Sequence, residues 1–299
     1  MPAMDKEKSA SAVAVLGTGT MGQGIAQVAA RAGSIVRMYD EDAGKATAAV
    51  AAVASQLDKL VGKGRLTAAE AEATKQRLQP ATTIADAVFD AALVIEAVPE
   101  KMDLKVALFE AVILAAPPDA LLASNTSSLS LTELGTRTKA APRLLGMHFF
   151  NPPPVMELLE IVRGLSTSDE SLERAEGWAR RFGKTAIVVR DVPGFATSRL
   201  GVILGAEAIR MLETGVARAE DIDRAMELGY RHPMGPLKLT DLVGLDVRLA
   251  ILDHLHKELG EQFRAPPLLR AMVRAGKLGK KSGEGFYRWK DGVAVAPGG

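Results

Sequence analysis

The stretch SAVAVLGTGTMGQGIAQVAARAG, residues 11–33, changes character at its glycines. Before Gly17 the residues are small, apolar and partly β-branched, the composition of a short strand buried on both faces. After it, TMGQGIAQVAARAG places apolar residues at helical spacing and ends at Gly33, a helix-stopping residue. A strand that turns through Gly17, Gly19 and Gly22 into a helix has the spacing of a dinucleotide-binding loop. The first glycine permits the tight turn, the second lets backbone approach a pyrophosphate, and the third lets helix and strand pack closely. Backbone N–H groups at the helix start then meet the anion.

The next segment, SIVRMYD, reads as a second strand closing at Asp40. A carboxylate at that place accepts hydrogen bonds from the adenosine ribose hydroxyls, which points to NAD. Glu41 and Asp42 follow with no arginine to pair a 2′-phosphate, so NADP meets repulsion. Acids are also favoured at a helix start by its dipole, a reading that suits Asp42 better than Asp40.

Outward from this unit, strand-like runs alternate with helical patterns: AALVIEAV, ALLASN, RLLGMHFF, VMELLEIVRG and TAIVVRD between segments such as KMDLKVALFEAVILAA and ESLERAEGWARRFG. That order predicts an α/β fold with a Rossmann-like, mostly parallel sheet. After Pro193 the periods are helical, in RLGVILGAEAIRMLETG, RAEDIDRAMELG and LTDLVGLDVRLAILDHLHKELG, with no strand before the tail. The expected division is residues 1–191 as the NAD-binding domain and 192–299 as a smaller all-helical domain.

The 299 residues are 47% hydrophobic and 24% charged, which excludes a disordered chain. A net charge of +1 with interspersed signs gives no footprint for nucleic acid or an anionic membrane. The absence of cysteine excludes disulfides and thiolate chemistry, and no metal-ligand pattern takes their place. Met1 to Ser11 mixes acids and lysines without a signal-peptide pattern, and no apolar run is long enough to cross a bilayer, so a cytoplasmic enzyme is expected.

The segment GMHFFNPPPVMELLEIVRG, residues 146–164, carries His148 and Glu160 on either side of three prolines. Prolines break regular structure, so the two side chains belong to different pieces of backbone. His148 follows a strand at the carboxyl edge of the inferred sheet, where open α/β folds bind ligands. It reads either as a catalytic base or as a core histidine satisfied by a carbonyl. A carboxylate in ELLEIV needs a partner if buried, and Glu157 competes with Glu160 for that role. His254 and His256 are expected to be solvated on an exposed helix, and His232 to lie in a turn.

The motifs LGTGTMGQGIA, EAVPE, SNTSSL, HFFNP, DVPGF, HPMGP and GKKSGEGFY, in this order, resemble the 3-hydroxyacyl-CoA dehydrogenases, particularly the short form and its bacterial 3-hydroxybutyryl-CoA relatives. The resemblance runs from about Ser11 to Trp289. It implies His148 as catalytic histidine, Glu160 as its partner, and Ser127 and Asn151 as substrate-contacting residues. It further implies that Asp40, Glu100, Lys105 and Lys281 contact NAD, that Lys63 contacts coenzyme A, and that the second domain makes a homodimer. Relatives carry asparagine where this chain has Ser198, a shorter hydrogen-bonding group without an amide fork, so substrate placement near the second domain is open. The implied reaction is oxidation of an (S)-3-hydroxyacyl-CoA. Its rivals are an NAD-dependent dehydrogenase of a sugar acid or other hydroxyacid, and a catalytically silent binding protein of the crystallin kind.

Overall fold

The computed structural model of the protein describes residues 11–295. Residues 1–10, over which no signal peptide is expected, lie outside the described residues. The chain divides into two compact units, Met1–Asp191 and Val192–Gly299.

In the first unit, eight strands form one sheet: β1 (Ala12–Leu16), β2 (Ile35–Tyr39), β3 (Leu78–Pro80), β4 (Ala91–Glu96), β5 (Leu121–Ser124), β6 (Leu144–Phe149), β7 (Leu158–Arg163) and β8 (Thr185–Arg190). Their order is β3-β2-β1-β4-β5-β6-β7-β8, and every neighbouring pair is parallel except β6 with β7. The chain direction of travel reverses between β1 and β4, which is where such sheets open a crevice at their carboxyl edge. The connecting helices are α1 (Thr20–Arg31), α2 (Ala43–Gly62), α3 (Ala68–Lys75), α4 (Ile84–Val88), α5 (Met102–Ala115), α6 (Leu131–Arg137) and α7 (Asp169–Arg181).

All five residues of β1 are buried, as its unbroken apolar sequence requires of a central strand covered on both faces. Val13, Val15, Ile25, Met38, Leu93, Ile95 and Leu121 join one core with Trp178 and Phe182. Each such aliphatic side chain contributes about 1.5–3 kcal/mol on burial. The short elements β3, α4 and α6 have three to seven residues, too few to show a period, and the sequence pattern passes over them.

The second unit contains α8 (Thr197–Glu213), α9 (Ala219–Arg224), α10 (Pro236–Val243), α11 (Leu245–Leu259) and α12 (Pro267–Arg274), with a terminal hairpin of β9 (Arg288–Lys290) and β10 (Val293–Val295). Leu237, Leu245, Leu252, Leu255, Phe263 and Leu269 form its core. Two expectations need correction here. The segment beginning LTDLVGLD is two helices rather than one continuous period, because Gly244 adopts φ +107, outside helical backbone. His254 and His256 are half-buried rather than solvated, and His256 Nε2 lies 3.0 Å from Glu261 Oε1. Among the described residues no helix is long and apolar enough to cross a membrane.

Candidate active site

His148 and Glu160 are direct partners in the antiparallel pairing of β6 with β7. The proline-rich loop ends β6, and β7 returns along it, so two residues distant in sequence become cross-strand neighbours on one face. Nδ1 of His148 lies 2.8 Å from Oε2 of Glu160. His148 is 8% exposed and Glu160 fully buried, so water does not screen the pair. A carboxylate only accepts, so the neutral ring carries its proton on Nδ1 and its lone pair on Nε2. Phe150 packs its ring 4.6 Å from the imidazole. Glu157 is exposed and precedes the strand, which removes it from the competition.

The turns after β4 and β5 form a second constellation. One carboxylate oxygen of Glu100 accepts the backbone N–H groups of Ser127 at 3.0 Å and Ser128 at 3.2 Å, together with the Thr126 hydroxyl. Lys105 Nζ lies 3.2 Å from the other oxygen and 2.6 Å from Glu96. Burial alone pushes the Glu100 carboxyl up, but the Lys105 charge and the Thr126 and Ser127 hydrogen bonds hold it below the usual range. Glu100 thereby fixes the loop that presents Ser127. Beneath it, Glu96 is wholly buried and accepts from Lys105, the Ser124 hydroxyl and Val98 N–H. Burial pushes the Glu96 carboxyl up against the pull of Lys105. Asn125 Oδ1 accepts Phe149 N–H at 2.8 Å and ties the end of β5 to the end of β6 beside His148.

Glu96, Ser124 and Asn125 are absent from the sequence reading. The signal for Glu96 is present in AALVIEAV, since an acid in a strand buried on both faces demands a cation, and Lys105 stands nine residues on.

The glycine loop fits a dinucleotide. Gly17 adopts φ +96, and a Cβ on Gly22 would lie 1.9 Å from the Gly17 carbonyl oxygen, whereas a Cβ on Gly19 would meet nothing within 4 Å. Helices α2, α3, α4, α6 and α7 each receive a side-chain cap, while α1, beginning at Gly19, and α5, beginning at Lys101, do not; the uncapped start of α1 follows the glycine loop and keeps donors for an anion. Asp40 accepts the Thr18 N–H at 3.0 Å and the Thr18 hydroxyl at 2.7 Å. Asp42, by contrast, caps α2 through Gly44 N–H.

Asn151 lines a cavity of about 400 Å³ with Gln23, Gln27, Gln56, Lys59 and the loop prolines. Gln27 is 2% exposed and its Oε1 has no hydrogen-bond partner among the described residues. Lys63, exposed, ends α2 four residues beyond Lys59. In the second unit, Ser198 is half-buried in the first turn of α8, and Lys281 Nζ pairs with Asp246 at 2.6 Å.

The family model described as the NAD binding domain of 3-hydroxyacyl-CoA dehydrogenase matches residues 12–192, and the model of the C-terminal domain matches residues 194–289. The chain belongs to the 3-hydroxyacyl-CoA dehydrogenase family. NAD is accordingly its cofactor, and its reaction class is alcohol oxidation on an acyl-CoA. A probable 3-hydroxybutyryl-CoA dehydrogenase of Bacillus subtilis is 45% identical over 93% of this chain and 97% of its own length. The crystal structure of an (S)-3-hydroxybutyryl-CoA dehydrogenase from Ralstonia eutropha superposes with TM-score 0.90 at 41% identity, covering 95% of this chain and 100% of that one. A 3-hydroxyadipyl-CoA dehydrogenase of Escherichia coli is 43% identical over 93% of this chain and 59% of its own, longer sequence.

Proposed function

We propose that this dehydrogenase interconverts a short-chain (S)-3-hydroxyacyl-CoA, of the 3-hydroxybutyryl-CoA kind, and its 3-oxo thioester, with His148 as the catalytic acid and base. The observation that carries the reading is the buried 2.8 Å contact between His148 Nδ1 and Glu160 at the carboxyl edge of the sheet. In alcohol oxidation the Nε2 lone pair takes the 3-hydroxyl proton while the C3–H bond breaks. NAD, when bound, supplies the hydride acceptor. General-base help of this kind contributes about 10²–10⁴-fold. Glu160 holds the tautomer and stabilises the imidazolium that forms, as the acid of a hydrolase triad does. In the reverse direction the imidazolium returns the proton to the 3-oxo oxygen.

Gly17, Gly19, Gly22 and Asp40 hold the dinucleotide in this reading. Ser127 and Asn151 bond the reacting oxygen or the thioester carbonyl and reduce the freedom of a long ligand. Glu100 positions Ser127, and Lys105 positions Glu100 rather than meeting the cofactor directly, because its ammonium is buried between two carboxylates. The cavity between Asn151 and Lys59 suits a pantetheine arm, whose amide N–H groups match the unsatisfied Gln27 oxygen, with Lys63 taking a phosphate of coenzyme A. In this reading Lys281 contacts NAD and Ser198 the substrate. The second domain exposes Leu200 (69%), Leu228 (74%) and Tyr230 (75%), apolar surface suited to a homodimer.

The test follows NADH absorbance with acetoacetyl-CoA and then with free acetoacetate. Oxidation with the thioester alone is expected. Turnover of neither, or an equal rate with a sugar acid, would overturn the reading.

A further inference from the structure

Lys184, the residue before β8, is half-buried and turns its ammonium back onto the proline-rich loop that follows His148. Nζ donates to the Pro153 carbonyl and to the Met156 carbonyl, each at 2.6 Å. The backbone on either side of this lysine is itself fixed. Lys184 N–H donates to the Ala179 carbonyl in the last turn of α7, and Thr185 N–H to the Glu157 carbonyl just before β7, both at 2.9 Å.

The loop needs such a partner because of its composition. Proline has a carbonyl but no N–H, so Pro152, Pro153 and Pro154 give this segment acceptors without donors. Within the loop, Val155 and Met156 N–H both donate to the Pro152 carbonyl, at 3.0 and 3.1 Å. The Pro153 and Met156 carbonyls are met by a side chain instead, and an ammonium with three donors spans both. Bonds from a charged donor are stronger than those between neutral groups.

Packing holds the other side. Pro153 is buried, and a Cβ on Gly24 would lie 2.7 Å from its Cδ, so the proline ring rests directly on α1. Pro153 is thereby gripped between the helix that follows the glycine loop and the Lys184 ammonium. Asn151, two residues earlier, is exposed, so burial does not fix it. Its place depends on the backbone that α1 and Lys184 hold.

We infer that Lys184 is a positioning residue for the thioester: by clamping the loop it sets where Asn151 meets the substrate. This inference rests on the acyl-CoA reading above, in which Asn151 contacts the ligand. Lys184 takes no part in proton or hydride transfer, and the dinucleotide, held by the glycine loop and Asp40, binds without it.

The experiment follows acetoacetyl-CoA reduction in Lys184→Met, reading kcat and KM for the thioester and, separately, the affinity for NADH. Methionine keeps the length of the stem and removes the donors, so kcat/KM for the thioester is expected to fall by about tenfold or more as substrate orientation is lost. NADH affinity should change by less than about twofold, and Lys184→Arg, whose fork can reach both carbonyls, should restore most of the loss. In an Asn151→Ala background Lys184→Met should add no more than about twofold, because both changes remove the same contact. A lysine that served stability alone would instead multiply its loss onto that of Asn151→Ala. Wild-type kcat/KM in Lys184→Met, an equal loss of NADH affinity, or losses that multiply in the double variant each overturn the inference. Should Lys184→Met fail to fold, Lys184→Gln, which keeps an uncharged donor, is held to the same criteria. Failure of the acyl-CoA reading appears differently, as a wild type that oxidises no NADH with acetoacetyl-CoA, and overturns both.

Discussion

His148 and Glu160 face each other across β6 and β7, twelve residues apart in sequence and 2.8 Å apart between side chains. Strand pairing sets this contact, so the imidazole is oriented before any ligand arrives. His148→Gln removes the proton acceptor without emptying the site, and kcat should fall on the order of 10²–10⁴-fold while NADH titration by fluorescence stays near wild type. Glu160→Gln keeps the shape but not the charge, and its kcat should fall by roughly 10²-fold or more. Alcohol oxidation needs the neutral ring and ketone reduction the imidazolium, so the first should rise with pH and the second fall. Parallel profiles for the two directions would contradict the assignment.

The Glu96–Lys105 pair underlies the loop of Ser127. Breaking a buried pair strands the surviving charge, so Lys105→Met should cost roughly 3–5 kcal/mol in urea unfolding. The double variant Lys105→Met/Glu96→Gln should recover most of that loss, because neither buried charge remains. Both variants should also raise KM for the thioester, since Glu100 loses the cation that holds it and Ser127 loses its anchor. A double variant no more stable than the single one would show that the pair acts through packing alone.

Much of this architecture is legible from residue patterns, and the failures have physical causes. The glycine loop, Asp40 and the long buried strands are local signals, each complete within about ten residues. The meeting of His148 and Glu160 is not local: nothing in the residues between them distinguishes Glu160 from Glu157 until β7 is seen to run antiparallel to β6. Glu96 was hidden by its neighbours, an acid within an otherwise apolar strand, and its partner lies on the following helix.

Asp40 should control the choice of dinucleotide. Partial burial pushes its carboxyl upward, but the two Thr18 hydrogen bonds and the Lys45 charge outweigh burial and hold it below the usual carboxylate range. Its folded value therefore lies under its unfolded one, near 4. The stability it contributes is present above that unfolded value and is lost as pH falls through the folded value. NADH affinity should accordingly show no step from Asp40 between neutrality and about pH 5. Asp40→Ser removes the repulsion toward a 2′-phosphate, and the NADPH to NADH ratio of kcat/KM should rise at least about tenfold. Equal use of both dinucleotides by the wild type would refute the role given to Asp40.

Gly19 and Gly22 separate binding from folding within a single loop. A methyl group on Gly22 would sit 1.9 Å from the Gly17 carbonyl oxygen, so Gly22→Ala must push α1 away from β1 and should lower the melting temperature by several degrees, with an effect on the order of 1–3 kcal/mol. A methyl group on Gly19 meets no protein atom within 4 Å, and its φ of −65 suits any residue. Gly19→Ala should therefore melt like the wild type. The new methyl group occupies the space through which a pyrophosphate approaches the backbone, so NADH affinity should fall by about tenfold or more. Thermal melts and NADH titrations of the two variants check both halves. Loss of stability in Gly19→Ala, or wild-type NADH affinity in the same variant, would remove the loop from the cofactor site.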